Sequence, residues 1–398
     1  MSVPIETMLH DWTPPQHPRD VPRPVLPVPP ASEIDRVADL LLNSANPAII
    51  AESIGRDPDG YDATVELAEL LAIPVSESGW IDFTNFPQDH PLYQGIGSPG
   101  YIHDADVVLT LRSRAPWSPP SNRPANATIV NIDEAPFRPH MVHQSLQADI
   151  FLEGDAVATL RALIDAIRAK GVHETVVEER AARWSREHDA LAARKQAAVD
   201  SALAKDTISP VGLCATLSSV MPDDTIYIDE TITSRRAIIE HCGFRGPLSF
   251  FSVASGGLGQ GLGLALGAKL AMEDRPVVSV IGDGSFMYNP VTQGLALSKH
   301  KDIPIMIVVF NNAGYSAMRK EHHAYYPDGV AAASNASVGH DITDLDYAEL
   351  AQPFGFYGRR VETLADLPGV LKEAHAATLD GRTAIVNVIL DEGAPSGR

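Results

Sequence analysis

The sequence predicts an α/β protein with two doubly wound parallel sheets. Two stretches of the chain alternate apolar runs of strand length with amphipathic helical patterns, which is typical of parallel sheets covered by helices. A charged, alanine-rich stretch separates them and reads as a surface helix. We therefore predict a proline-rich lead over residues 1–30, a first α/β domain over 31–170, a helical connector over 171–205 and a second α/β domain over 206–398.

The first domain starts after a proline-rich run, residues 13–30, that cannot form a helix. Its first helix is predicted at 32–44, with Ser32 as the N-cap. The remaining elements follow from their apolar patterns: a strand at 47–53, a helix at 61–73, and strands at 74–78, 105–111 and 127–134. The domain is expected to end near residues 155–170.

The second domain begins with a helix that Ser209 caps and in which Pro210 takes the first position. A strand at 225–230 and a glycine-rich segment at 255–273 follow. An apolar strand then runs from Val278 to Gly282, and a helix at 290–300 leads to a second apolar strand at 303–310.

Composition limits the classes of protein to consider. The 398 residues are 44% hydrophobic and 21% charged, as in soluble globular proteins, and a net charge of −20 disfavours nucleic acids and anionic membranes as partners. Cys214 and Cys242 form no motif, which indicates a reducing compartment without disulfides or a zinc site. With no signal-like leader and no apolar run of about 20 residues, we expect a cytoplasmic protein.

One acidic residue follows a buried strand and stands between two glycines. It is Asp283, between Gly282 and Gly284, and the next strand along the chain ends in Asn311 and Asn312. A strand-helix-strand unit of this kind places its two strands in parallel, with their carboxyl ends at one edge of the sheet. We therefore expect Asp283 and Asn312 at the same rim, where open α/β sheets bind ligands.

One carboxylate and one amide are too few ligands for a self-sufficient divalent metal site. Mg²⁺ prefers oxygen ligands and commonly completes its coordination with phosphates and water. The pattern therefore predicts a diphosphate bridged by Mg²⁺, with Gly282 and Gly284 letting backbone N–H groups approach the phosphate. The alternative is ordinary loop chemistry, an Asp-Gly turn and a polar strand end.

The spacing of these motifs resembles that of enzymes that bind thiamine diphosphate (ThDP). Here 26 residues separate the GDG of residues 282–284 from the NN of 311–312. Upstream, GGLG at 256–259 and IDETIT at 228–233 resemble segments of the acetolactate synthase and 2-oxo-acid decarboxylase family, which includes benzoylformate decarboxylase. The resemblance extends from about residue 25 to the end of the second domain.

The resemblance implies a set of site residues. Asp283, Asn312 and the carbonyl of Gly314 would be the Mg²⁺ ligands, Leu258 would wedge beneath the cofactor, and the Gly256 carbonyl would accept from its amine. The full set of implied cofactor-binding residues is Glu230, Thr231, Thr233, Gly256, Gly257, Leu258, Gly282, Asp283, Gly284, Ser285, Asn312, Gly314 and Tyr315.

The loop after the NN motif is expected to border the substrate. Tyr315, His322 and His323 are the candidate catalytic residues, for proton transfer or orientation. Adjacent histidines on a polar loop are also common on ordinary protein surfaces, so His322 and His323 are either catalytic or simple surface residues.

The first domain resembles the family's Rossmann-like central domain. No glycine fingerprint follows the segment PAIIAE at 47–52, so FAD is not expected. Asp133, at the end of another strand, is either a ribose-binding acid or a strand-end acid that caps a helix.

The resemblance also implies a partner. Family members carry a pyrimidine domain whose glutamate activates the cofactor, and this domain is expected on a separate subunit of a hetero-oligomer, α2β2 or larger. Glu52 and Glu77 are weaker candidates for that role, because both lie in the central domain.

The activity implied is that of a ThDP- and Mg²⁺-dependent decarboxylase or carboligase acting on a 2-oxo acid or aldehyde. Alternatives are a lyase of 2-hydroxy ketones or 2-hydroxyacyl thioesters, and a catalytically silent scaffolding or regulatory subunit.

Overall fold

The computed structural model describes the chain from residue 4 to residue 391, except for residues 12, 14–20, 23, 98, 118–119, 138–147, 254–256, 335–338 and 343–344. Two six-stranded parallel sheets with flanking helices form its framework, which confirms the predicted fold class. Among the described helices, none is long and apolar enough to cross a membrane.

The first sheet is built from short, buried strands. They are β1 (Pro47–Ala51), β2 (Val75–Glu77), β3 (Tyr93–Ile96), β4 (Val107–Leu111), β5 (Thr128–Asp133) and β6 (Ile150–Glu153). Their order in the sheet is β3-β2-β1-β4-β5-β6, and all of their pairings are parallel. The order reverses between β1 and β4, which is where open sheets of this kind form a crevice.

The second sheet has the same number of strands. They are β7 (Ile226–Glu230), β8 (Phe250–Ser252), β9 (Val277–Gly282), β10 (Met306–Asn311), β11 (Tyr357–Val361) and β12 (Ala384–Ile389). Their order is β11-β12-β10-β9-β7-β8, again with parallel pairings throughout. Strands β9 and β10 lie in the middle and are buried along their whole length, as expected from their largely apolar sequences, VVSVIG and MIVVFN.

Helices cover the sheets and connect them. Those before the second domain are α1 (Ile5–Leu9), α2 (Ala31–Asn43), α3 (Pro58–Leu71), α4 (Ala156–Lys170) and the connector α5 (Glu174–Leu203). Those of the second domain are α6 (Pro210–Val220), α7 (Arg235–His241), α8 (Gly261–Ala271), α9 (Asp283–Tyr288), α10 (Val291–Lys301), α11 (Ser316–Tyr325), α12 (Val330–Ser334) and α13 (Leu367–Leu379).

The ends of the helices test the predicted caps. The Ser209 side chain accepts a hydrogen bond from the Gly212 N–H with Pro210 at the first position, which confirms that prediction. Ser32 is not an N-cap, because α2 begins one residue earlier, directly after Pro30, and Ser32 lies in its first turn. The lead is also not wholly extended: one helical turn, α1, forms before the proline-rich run.

The two domains are in direct contact through the segment that follows β2. Phe83 forms an isolated antiparallel bridge with Phe251 of β8, and their rings lie edge to face with centroids 5.5 Å apart. The Ser252 N–H donates to the Asp82 carbonyl at 3.1 Å. A loop of the first domain therefore extends onto the edge of the second sheet.

Candidate functional site

The carboxyl ends of β9 and β10 bring the predicted acid and amide together. The two strands pair in parallel, with Gly282 opposite Phe310, so Asp283 and Asn312 follow at the same rim. Asp283 is only 3% exposed. The predicted proximity of the two motifs is confirmed.

Asp283 is held at this rim by backbone donors. Its Oδ1 accepts from the Gly284 N–H at 2.8 Å, and its Oδ2 accepts from the Gly314 N–H at 3.1 Å. The same Gly314 N–H lies 3.2 Å from the Asn312 Oδ1. The three residues implied as metal ligands are therefore adjacent, and their oxygen atoms are of the kind that Mg²⁺ prefers.

The electrostatics of Asp283 favour a cation. Burial raises the pKa of its carboxyl group to about 6, although hydrogen bonds from Gly284 and Gly314 oppose the shift. The described residues that line the neighbouring cavity include no lysine, arginine or histidine. Nor do the described residues contain a group of three His, Cys, Asp or Glu side chains that could hold a metal ion. A metal at Asp283 would thus need further ligands, which a diphosphate supplies.

A cavity of about 310 Å³ opens beside Asp283. Most of the implied site residues line it. Its lining consists of Thr231, Ile232, Thr233, Ser234, Leu258, Gly282, Asp283, Gly284, Ser285, Tyr288, Phe310, Asn312, Gly314, Tyr315, Ser316, Ala317 and Met318. Three lining residues, Ile232, Ser234 and Met318, were not named individually from the sequence. Ile232 lies inside the IDETIT segment at 228–233 and Ser234 directly follows it, while Met318 lies in the loop after the NN motif that is expected to border the substrate.

The two glycines beside Asp283 differ in the space around them. A Cβ atom on Gly284 would lie 2.6 Å from a ring carbon of Tyr315, so the protein itself excludes a side chain there. A Cβ atom on Gly282 would meet nothing closer than 3.5 Å, an ordinary van der Waals contact. The packing of the described residues therefore does not demand a glycine at 282.

The two adjacent asparagines, Asn311 and Asn312, have different environments. Asn311 is structural: its amide donates to the Asn387 Oδ1 on β12 at 3.1 Å, and its own Oδ1 accepts from the Ala313 N–H at 3.0 Å. That hydrogen bond supports Ala313 in the left-handed region, at φ 53°. Asn312 is the member of the pair that lines the cavity.

Glu230 does not line the cavity. Its carboxylate accepts from the N–H groups of Gly259, Gln260 and Gly261 at 2.6, 3.2 and 2.9 Å, where α8 begins. It also accepts from the Asn289 amide at 2.8 Å. Glu230 therefore caps α8 and anchors the glycine-rich segment, and sequence reasoning missed Asn289, a buried amide directly before a proline.

The rest of the glycine-rich segment agrees in part with expectation. Leu258 lines the cavity, as its implied role beneath the cofactor requires. The Gly257 carbonyl accepts from the Gln260 side chain at 2.9 Å, and Gly257 is not among the lining residues. Gly256 lies outside the described residues.

The candidate catalytic residues separate into two groups. Tyr315 lines the cavity, as does Tyr288. His322 and His323 lie further along α11 with ring centroids 6.3 Å apart, and neither lines the cavity. The structure therefore places Tyr315, but not the two histidines, at the cavity beside Asp283.

The acids of the central domain are occupied elsewhere. The Glu52 carboxylate is fully buried and accepts from the Ser113 hydroxyl at 2.9 Å and from the Arg114 Nε at 2.7 Å. Burial raises the pKa of Glu77, which accepts from the Asn85 N–H at 2.8 Å. Neither lines the cavity beside Asp283. The Asp133 Oδ1 accepts from the Ala135 N–H at 2.8 Å, a local turn.

Comparisons with known proteins agree with this geometry. Residues 34–163 match the family model described as the central domain of thiamine pyrophosphate enzymes, and residues 233–388 match their C-terminal TPP binding domain. TPP, thiamine pyrophosphate, is another name for ThDP.

Two curated relatives and one solved structure illustrate the range of matches. The chain is 27% identical to a benzoylformate decarboxylase of Pseudomonas aeruginosa over 358 residues, 86% of this chain and 61% of that protein. It is 24% identical to the large subunit of acetolactate synthase isozyme 3 of Escherichia coli over 374 residues, 90% of this chain and 62% of that protein. The crystal structure of benzoylformate decarboxylase from Polynucleobacter necessarius superposes with a TM-score of 0.71 at 22% identity, covering 96% of this chain and 69% of that one.

The chain thus spans a little over three-fifths of the length of these two curated relatives. Its two domains match in the order in which the family models describe them, central and then C-terminal. The chain belongs to the thiamine-diphosphate-dependent enzymes.

Proposed function

We propose that this chain forms the diphosphate-binding part of a ThDP- and Mg²⁺-dependent decarboxylase or carboligase that acts on a 2-oxo acid. The observation that carries the proposal is the buried Asp283 carboxylate at the rim of β9 and β10, with Asn312 and Gly314 beside it. When bound, ThDP supplies a thiazolium ring that accepts the electron pair released when a bond next to a carbonyl carbon breaks.

The chain's own residues would hold and orient this cofactor. Asp283, Asn312 and the Gly314 carbonyl would coordinate Mg²⁺, which in turn would neutralise the diphosphate. The hydroxyl groups of Thr233 and Ser285, which line the cavity, would donate to phosphate oxygens. These contacts would fix the tail of the cofactor at the sheet.

The apolar part of the cavity would receive the rings of the cofactor. Leu258, Phe310 and Met318 supply apolar surface there. Tyr315 would exclude water from one side and present its hydroxyl group to the substrate. His322 and His323 are not needed for this arrangement.

We also propose that a separate pyrimidine-domain subunit completes the site in a hetero-oligomer, α2β2 or larger. Asp283 is the one carboxylate among the described cavity-lining residues, so an activating glutamate would have to come from elsewhere. Around the cavity, Ile232, Tyr288 and Met318 are 48%, 61% and 51% exposed, an apolar border suited to a protein surface.

The test is turnover by the purified chain, alone and with any subunit that co-purifies from its native host. Benzoylformate and pyruvate are supplied with ThDP and Mg²⁺, and CO₂ and ligated products are measured. Release of CO₂ that requires the second subunit supports both proposals, and full activity of the isolated chain contradicts the need for a partner.

Two other results would redirect the proposal. Cleavage of 2-hydroxy ketones or 2-hydroxyacyl thioesters without action on 2-oxo acids would identify a lyase. Tight Mg²⁺-dependent binding of ThDP without turnover of any of these substrates, with the second subunit present, would identify a silent subunit.

A further inference from the structure

One wall of the cavity has an unfavourable backbone conformation. It is the segment Thr231–Ser234, and all four residues line the cavity. Ile232 has φ 54°, in the left-handed region that branched side chains avoid. Such a conformation persists only where the surroundings hold it in place.

Two side chains hold this segment, one on each side. On the β7 side, the Asp229 Oδ1 accepts from the Thr231 N–H at 2.9 Å and from its hydroxyl group at 2.8 Å. On the other side the segment continues directly into Arg235, the first residue of α7.

The Arg235 side chain reaches out of its own domain. Its Nη2 donates to the carbonyl oxygen of Ile81, a central-domain residue. Its guanidinium carbon lies 5.5 Å from the centre of the Trp80 ring, also in the central domain. Its Nε lies 4.0 Å from the Asp229 Oδ2, an ion pair within its own domain. One side chain thus joins the cavity wall to the central domain.

The central-domain side of this connection is firmly fixed. Ile81 is fully buried in the hydrophobic core of the second domain. The neighbouring Asp82 pairs with Arg114 at 2.7 Å, and Arg114 pairs with the buried Glu52 at 2.7 Å. The loop that Arg235 contacts is therefore tied to the ends of β1 and β4.

We propose that Arg235 is a positioning residue that uses the central domain as a fixed base to hold the wall Thr231–Ser234 in the conformation that binds the diphosphate. The proposal rests on the proposed function of the cavity. It gives the central domain a part in cofactor affinity although Trp80 and Ile81 do not line the cavity.

The first test compares Arg235→Met with Arg236→Met in the purified chain, together with any subunit that co-purifies. Arg236 is the next residue of the same helix, and its side chain is 77% exposed, so it is a matched control. We expect Arg235→Met to weaken Mg²⁺-dependent ThDP binding about tenfold, while Arg236→Met binds like the wild type. Equal affinity of Arg235→Met and wild type would overturn the proposal.

A second readout needs no cofactor. Amide hydrogen exchange over residues 228–234 in cofactor-free protein should be faster in Arg235→Met than in the wild type, because the segment loses its tether. Unchanged exchange there contradicts the proposal. If wild-type protein fails to bind ThDP with Mg²⁺, the proposed function fails, and this exchange measurement still tests the tether by itself.

A variant in the other domain tests the connection without touching α7. Trp80 is 57% exposed, so Trp80→Leu leaves the core intact. We expect about threefold weaker ThDP binding, and no further loss when it is combined with Arg235→Met, because both changes break the same contact. Full additivity of the two changes, or no effect of Trp80→Leu, would show that the central domain does not support ThDP binding through Arg235.

Discussion

The two sheets of this protein share an architecture but differ in how the carboxylates at the carboxyl ends of their strands are paired. At the crevice of the first sheet, the Glu52 carboxylate is paired with Arg114, which also pairs with Asp82. At the rim of the second sheet, Asp283 faces a cavity whose described lining contains no cationic side chain. At the first rim Glu52 and Asp82 share an arginine partner, whereas at the second rim Asp283 has no cationic side chain beside it among the described cavity-lining residues.

This contrast shows why fold alone does not locate function. Both rims are places where open α/β sheets bind ligands. A second internal pair, Arg112 with Glu134, further closes the first rim, and Arg112 adopts φ 45° there. Polar groups that satisfy one another stabilise a structure, whereas a buried group without a counter-charge is a candidate binding site.

The largest expected effect is on stability, at the first rim. Replacing Glu52 by Ala removes the buried acceptor of the Arg114 Nε and of the Arg114 backbone N–H, and leaves Asp82 as the remaining carboxylate partner of the guanidinium. We expect a loss of about 3 to 5 kcal/mol in the free energy of unfolding, measured by chemical denaturation. Glu33→Ala, at an exposed pair with Arg36, is the control and should change stability by less than about 0.5 kcal/mol. A Glu52→Ala protein as stable as the wild type would mean that the Glu52–Arg114 pair does not stabilise this rim.

The next largest effect is expected from glycine substitutions, which should lower stability at the first rim but not at the second. A Cβ atom on Gly55, at the first rim, would lie 1.8 Å from the backbone oxygen of Thr84, whereas one on Gly282 meets no atom within 3.4 Å. We expect Gly55→Ala to lower the free energy of unfolding by about 1 to 3 kcal/mol and Gly282→Ala to change it by less than about 0.5 kcal/mol. Gly282→Ala should nevertheless weaken ThDP binding, because the added methyl group occupies ligand space. Normal ThDP affinity in Gly282→Ala would place the diphosphate elsewhere.

A smaller effect is expected from pH. Because burial raises the pKa of Asp283 to about 6, Mg²⁺ must displace a proton from it below that pH. The apparent affinity for Mg²⁺ and ThDP should therefore fall up to about tenfold for each pH unit below 6, and change little above pH 7. Titration calorimetry from pH 5 to pH 8 measures this.

The same shift sets the sign of a stability effect in cofactor-free protein. Since the folded pKa of Asp283 lies above its ordinary value of 3.8, ionisation of this group opposes folding. Its contribution to stability is fully present below about pH 4 and is lost as the pH rises through about 6. In Asp283→Asn that part of the pH dependence should be absent; an unchanged pH profile would assign it to other groups.

Much of the fold could be predicted from the sequence, because its central strands are largely apolar runs. Strands β3 and β8 could not, since YQGI and FFS have no clear alternation and their pairing comes from tertiary contacts. The position of Asp283 followed from topology, because parallel strands end at one edge. The orientation of Glu230 did not, because its carboxylate bonds to backbone groups about 30 residues further along the chain.

The central claim is that the uncompensated carboxylate of Asp283 is the anchor for Mg²⁺ and the diphosphate. The most direct test is the melting temperature of wild type, Asp283→Asn and an exposed control, Asp223→Asn, with and without Mg²⁺ and ThDP at pH 8, in the presence of any partner subunit. We predict that Mg²⁺ with ThDP raises the melting temperature of wild type and Asp223→Asn only. Asp283→Asn should melt no lower than the wild type without cofactor and show no rise with it. An equal rise in Asp283→Asn and wild type would contradict the account.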